Sequence, residues 1–231
     1  MLSFSSDNII SDLLYSLGAV FIYLGILVVL AEALNRLLPE DPELIRKVVH
    51  IGSGNVILLA WWLKISSQVI ISAAIIAAAI AIISYLIPIL PSIESVGRKS
   101  FGTLFYAISM GILAAYFWQD YPQYAVIGIL VMAWGDGMAA IIGQRFGKHT
   151  YQIGQINKSW EGSLAMMGAS WLVTLLVLLT VEGNSWQVWS ISIVVAALAT
   201  ILEAFSKLGI DNLTVPLSSG LFCFFCIQAL L

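Results

Sequence analysis

Asp136 stands between two glycines in the run WGDGMAAIIGQRFG, residues 134–147, in the second half of a long apolar segment. A charged side chain at the centre of a membrane span costs about 3 kcal/mol on insertion scales, so such a residue is a functional candidate by default. Its flanking glycines allow irregular backbone, which a span tolerates only where it lines protein or a water-filled cavity. For the carboxylate this leaves a metal or substrate role, set against a pore lining or a buried ion pair. Ala139, Ala140, Gly143 and Gly147 follow at helical spacings and form a face of small residues. That face suits close helix packing of the small-xxx-small type as well as it suits a ligand.

Two further runs carry comparable chemistry. NKSWEGS, residues 157–163, puts Lys158 and Ser159 at the mouth of a helix with Glu161 and Gly162 one turn in. Unpaired N–H groups at a helix start, together with a lysine, suit a phosphate. An N-cap at Asn157 or Ser159 with Glu161 in the first turn accounts for the same residues. A carboxylate such as Asp136 beside a phosphate-binding lysine is the arrangement that holds Mg²⁺–nucleotide, because Mg²⁺ takes one or two carboxylates plus phosphate oxygens. In RKVVHIGSG, residues 46–54, Arg46, His50 and Gly54 are spaced four apart on one helix face, with Lys47 adjoining. His50 serves there as a structural hydrogen-bonder, a phosphate ligand or a proton shuttle. GRKSFGTLFY, residues 97–106, adds the cations Arg98 and Lys99. Glu203 lies four residues before Lys207, the spacing of a simple ion pair, and Asp211 with Asn212 leads into the last apolar segment as a second metal ligand or a cap.

The elements that must position these residues are membrane spans. Of 231 residues 60% are hydrophobic and 10% charged, with mean hydropathy +0.97. A soluble domain carries about a quarter charged residues. At about 20 apolar residues per span the length allows about eight. Eight apolar segments are found, near 10–35, 47–63, 68–90, 101–118, 122–146, 160–181, 186–206 and 213–230. The fold expected is an all-α integral membrane protein, one polytopic transmembrane domain over residues 1–231. MLSFSSDNIISDLL lacks a basic n-region and predicts a retained first helix. Cys223 and Cys226 fall within an apolar run and read as small buried hydrophobes. Nothing suggests nucleic-acid binding.

Orientation follows from the basic residues. Arg36, Arg46, Lys47, Arg98, Lys99, Arg145, Lys148, Lys158 and Lys207 fall on alternate connections, and Lys64 alone falls on the other side. The positive-inside rule puts that face in the cytoplasm and predicts N-out and C-out termini. Asp136, His50, Asn157, Glu161, Glu203, Asp211 and Asn212 gather on the same face. Polar residues of both signs converging on one side mark a site.

The runs from Asp136 through Gly143 and Gly147 to Lys158-Ser159-Trp160-Glu161-Gly162 resemble the nucleotide motif of the polyprenol kinases. That family includes dolichol and phytol kinases and is related to membrane CDP-diacylglycerol synthases. RKVVHIGSG is similar to its Arg-Lys-x-x-His motif, and GRKSFGTLFY and DNLTVP resemble the phytol kinase branch. The resemblance spans Arg46 to Pro216. It implies CTP-dependent phosphorylation of an isoprenoid alcohol, phytol foremost, with Mg²⁺ as cofactor. On that pattern Asp136, Lys158 and His50 are catalytic. Arg46, Lys47, Arg98, Gly143, Gly147, Lys158, Ser159, Glu161 and Gly162 bind nucleotide, and Asp136, Glu203 and Asp211 are metal ligands. The partners are CTP, the lipid alcohol and membrane lipid, with a homodimer left open. The active face is cytoplasmic, in a plasma or internal photosynthetic membrane. A cytidylyltransferase making a CDP-lipid from a lipid phosphate needs the same cations and metal. A transporter would spread its polar residues toward both faces, often with inverted repeats.

Overall fold

The computed structural model describes residues 6–86, 101–154 and 156–231. Ten helices and a short hairpin are found among them. They are α1 (Ser6–Leu37), α2 (Pro42–Gly54), α3 (Val56–Trp62), α4 (Ser67–Leu86), α5 (Gly102–Phe117), α6 (Pro122–Leu130), α7 (Gly137–Phe146), α8 (Trp160–Val181), α9 (Trp186–Ala204) and α10 (Asp211–Leu230). A π-helical segment, Val131–Asp136, joins α6 to α7, and strands β1 (Thr150–Ile153) and β2 (Ile156–Ser159) pair antiparallel. Counting α2–α3 as one span and α6–π–α7 as another, seven helices are long and apolar enough to cross a membrane. The shorter apolar α5 makes the eighth expected segment.

Local chemistry sets the helix starts. Asp41 caps α2 by accepting from Leu44 N at 3.0 Å, and Pro42 occupies a first-turn position that needs no N–H donor. This cap begins the second span at Pro42 rather than at residue 47. Ser159 caps α8 through Gly162 N at 3.1 Å, and Ser185 caps α9 through Val188 N at 3.3 Å.

The path Pro122–Phe146 forms the centre of the bundle. Tyr124, Val126, Ile127, Ile129, Val131, Met132 and Ala133 are all buried along it. Helices α5, α8 and α10 pack on α6, while α2, α8, α9 and α10 pack on the π segment. Glycines set the closest approaches. A Cβ at Gly128 would lie 2.4 Å from Pro216 O in α10, and one at Gly220 would lie 2.8 Å from Tyr124 O. In lipid, where helix association draws on packing rather than on the hydrophobic effect, such contacts hold the bundle together. Outward-facing Phe21, Ile22 and Val29 on α1 and Ile75 and Ile76 on α4 are exposed, as lipid-facing side chains must be.

Three features differ from the reading of the sequence. The stretch after Gly147, which falls between the expected spans 122–146 and 160–181, folds into the β1–β2 hairpin, which turns at Gly154 with φ +61°. Its strands are only four residues each, too short to register as periodicity. The second span breaks at Asn55, whose Oδ1 accepts from Trp134 Nε1 at 2.8 Å. The fifth span is interrupted by a π turn that ends on Asp136, a rare helical form that recurs at functional sites.

Candidate functional site

Gly54 and Gly137 bring α2 against the central path. A Cβ at Gly54 would lie 2.3 Å from the Ala133 Cβ, and one at Gly137 would lie 2.5 Å from Ile51 Cγ1. With the backbones this close, Lys47 and His50, one turn apart on α2, both reach Asp136. The Lys47 ammonium donates to Asp136 Oδ2, and His50 Nε2 stands 3.7 Å from the same oxygen. The Lys47 side chain is 6% exposed and that of Asp136 13%. Charges so far from water persist only when each offsets the other. Lys47, read from the sequence as a nucleotide residue, is thus the partner of Asp136.

A second pair lies beside the first. Lys158, at the end of β2, donates to Glu203 Oε1 near the end of α9, and the Glu203 side chain is 4% exposed. Tyr151 stands across the hairpin from Lys158. Its hydroxyl lies 2.6 Å from Ser163 Oγ and its ring 5.1 Å from that of Trp160, which fastens the hairpin to the start of α8. The two pairs are within Coulombic reach of each other: Lys158 acts on Asp136, and Asp136 and Asp211 act on Glu203. Arg46 feels Asp136 and Asp211 as well. Residues far apart in the sequence therefore share one electrostatic cluster, in which Arg46, Lys47 and Lys158 balance Asp136, Glu203 and Asp211.

Other residues expected at the site have different immediate partners. Arg46 hydrogen-bonds Glu43 through Nε at 2.8 Å, at the more exposed edge of the cluster. Glu161 turns to the hairpin, accepting from His149 N at 3.2 Å and lying 2.7 Å from His149 Nδ1. Ser159 is occupied as the α8 cap. Gly143, Gly147 and Gly162 lie in the α7–α8 contact. A Cβ at Gly143 would sit 3.1 Å and one at Gly147 2.8 Å from Ser159 Oγ at the α8 cap, and one at Gly162 would sit 2.9 Å from Ala139 O. These glycines let the two helices approach closely. Asp211 opens α10, its N–H donating to Ser206 Oγ at 3.1 Å. Arg98 lies outside the described residues. Among the described residues no three His, Cys, Asp or Glu side chains gather as metal ligands. Asp136 and Glu203 carry lysines instead.

The sequence reading passed over Tyr106 on α5. Among the described residues its hydroxyl and His50 Nε2 are both buried without a hydrogen-bond partner, and the two rings lie 5.6 Å apart. An aromatic residue in an apolar helix reads as core, so only its unpaired oxygen draws notice. At the edge of the site Arg145 Nη2 donates to Asp41 Oδ2 at 2.8 Å, tying the end of α7 to the start of α2. Hydrogen bonding from Arg145 holds the Asp41 carboxyl below its ordinary value of 3.8. A lowered folded-state pKa means that this tie stabilises the protein above the ordinary value and is lost as the pH falls through the lowered one. Arg145→Ala should therefore lower the detergent-solubilised melting temperature at pH 7. The difference from wild type should shrink toward zero as Asp41 is protonated in melts run down to pH 3.

The chain is 53% identical to a phytol kinase from Synechocystis sp. over 207 residues, covering 89% of each chain. It belongs to the phytol kinase branch of the polyprenol kinase family. Like its relatives it is a kinase that transfers phosphate to an alcohol. Phytol kinase 1, chloroplastic, of Arabidopsis thaliana is 29% identical, matching 93% of this chain and 78% of its own. The farnesol kinase, chloroplastic, of the same plant is 29% identical over 78% of this chain and 64% of its own. No family model matches the chain, and no solved structure does. In this member of the phytol kinase family, the paired lysines and carboxylates thus lie within a membrane-spanning phosphotransferase.

Proposed function

We propose that this kinase transfers the γ-phosphate of CTP to phytol, giving phytyl phosphate, at the cytoplasmic end of a single polytopic domain with both termini outside. The observation that carries the reading is the side-by-side placement of Lys47–Asp136 and Lys158–Glu203, buried at the basic end of the bundle. The names of the Synechocystis and Arabidopsis relatives support phytol as acceptor. The distribution of Lys and Arg supports the cytoplasmic face.

Phosphoryl transfer asks a protein mainly for positioning and for charge stabilisation. Lys158 sits at a hairpin end, where exchanging Glu203 for a phosphate oxygen requires only a side-chain movement. Arg46, at the exposed edge, adds a second cation for the triphosphate, and Arg98 is proposed as a third. Lys47 faces Asp136 as its counter-charge and holds it in place.

The donor chemistry suits Mg²⁺ arriving with the nucleotide. Asp136 and Glu203 offer carboxylate oxygens within electrostatic reach of each other, and Asp211 adds a third nearby. Mg²⁺ held this way keeps phosphate and water ligands and needs no closed protein cage. When bound it would screen the charge that builds on the phosphate oxygens. The alcohol enters laterally, with its hydroxyl at the site and its isoprenoid tail among the helices. Whether the protein works alone or as a homodimer does not alter this chemistry.

Labelled CTP tests the proposal, with phytol, farnesol, geranylgeraniol and phosphatidate offered in parallel to purified protein. Label from the γ position should appear in phytyl phosphate. Label from the α position appearing in lipid would instead identify a cytidylyltransferase, and label in neither product would remove CTP as the donor.

A further inference from the structure

Among the described residues Tyr106 Oη and His50 Nε2 are buried polar atoms without a hydrogen-bond partner. They project from different helices, α5 and α2, with their rings 5.6 Å apart. Tyr106 Oη lies over Gly54, 3.3 Å from where a Cβ would be, and His50 Nε2 lies 3.7 Å from Asp136 Oδ2. Buried polar groups are nearly always hydrogen-bonded, so two orphans on neighbouring aromatic rings, one of them beside a carboxylate, call for an occupant.

The chemistry of that occupant is constrained. A phosphate oxygen would accept from Tyr106 but has no proton for an acceptor nitrogen, and the lysines that suit it stand elsewhere in the cluster. A hydroxyl oxygen both donates and accepts from one atom, so it can serve both orphans at once. Helix α5 itself borders the lipid that holds such an alcohol, since its outer face exposes Ile108, Ile112 and Tyr116.

We propose that Tyr106 and His50 form the seat of the acceptor hydroxyl, with Tyr106 Oη donating to the alcohol oxygen and His50 Nε2 accepting the alcohol O–H. The seat rests on the reading of this centre as an alcohol kinase, and it makes Tyr106 a substrate-binding residue. It holds the hydroxyl next to Asp136, where the phosphoryl group is to be received. A site built to hydrogen-bond a hydroxyl discriminates strongly against an analogue that lacks it.

Tyr106→Phe removes one oxygen and keeps the ring. The KM for phytol should rise roughly tenfold, the loss of about one hydrogen bond, while the KM for the nucleotide stays unchanged. Equilibrium binding of tritiated phytol to the detergent-solubilised protein, without nucleotide, should weaken by the same factor. Competition by the saturated hydrocarbon of the same chain length should be unaltered. The melting temperature of the ligand-free variant should equal or exceed that of wild type, because an unsatisfied buried hydroxyl has been removed. His50→Gln, which keeps an acceptor, should bind phytol more tightly than His50→Leu. Unchanged phytol binding in Tyr106→Phe would overturn the proposal, as would a fall in melting temperature with both KM values rising together. Because the binding measurement needs no turnover, it decides on the seat even if wild-type protein transfers no phosphate from CTP, a result that would count against the functional reading alone.

Discussion

Asp136→Asn is expected to cost alcohol phosphorylation about 10²–10³-fold and to destabilise the protein at the same time. The second effect follows from the buried partner. Asparagine leaves the Lys47 ammonium in the bundle without a counter-charge, and breaking a buried pair in this way costs about 3–5 kcal/mol. Loss of activity alone would therefore not separate chemistry from folding. The double variant Lys47→Met/Asp136→Leu does, since replacing both members of a buried pair by apolar residues is commonly neutral or stabilising. That variant should melt near wild type in detergent and remain inactive. Wild-type turnover by either variant would remove Asp136 from the mechanism.

Gly54→Ala is expected to have an effect of similar size from a position that bears no charge. The added methyl would lie 2.3 Å from the Ala133 Cβ, so α2 must shift away from the π segment. Overpacking of this kind costs about 1–3 kcal/mol. The catalytic loss should be comparable, because moving α2 carries Lys47 and His50 away from Asp136 together, and a misplacement of 1 Å can cost about 10²-fold in rate. Ala133→Gly in the same chain removes the clashing methyl and should restore much of both. Failure of that rescue, with melting temperature and turnover both still low, would show that Gly54 matters for some reason other than its closeness to Ala133.

Much of the site was legible because its components are expensive to place in lipid. A carboxylate inside a span, a lysine at a helix mouth and an Arg-Lys-x-x-His run stand out against an apolar background whatever the fold. Pairing was less legible. The four-residue spacing of Arg46, His50 and Gly54 suggested a common face, yet Lys47 is the residue that meets Asp136, and Arg46 turns to Glu43. Glu203 matched Lys207 by helical spacing, but it pairs with Lys158, 45 positions away. Spacing along one helix ranks neighbours on that helix and carries no information about which residue a different helix presents.

Composition and pattern by themselves determined the membrane class, the apolar segments and most of the polar residues that meet at the candidate site. Those properties depend on transfer free energy, which each segment carries independently of its neighbours. Tertiary packing decided which lysine neutralises which carboxylate, that Gly143 and Gly147 meet the start of α8, and that Tyr106 brings to His50 a hydroxyl with no hydrogen-bond partner among the described residues. The π turn and the approach of Gly54 to Ala133 set those contacts, and that approach exists only once two helices have met.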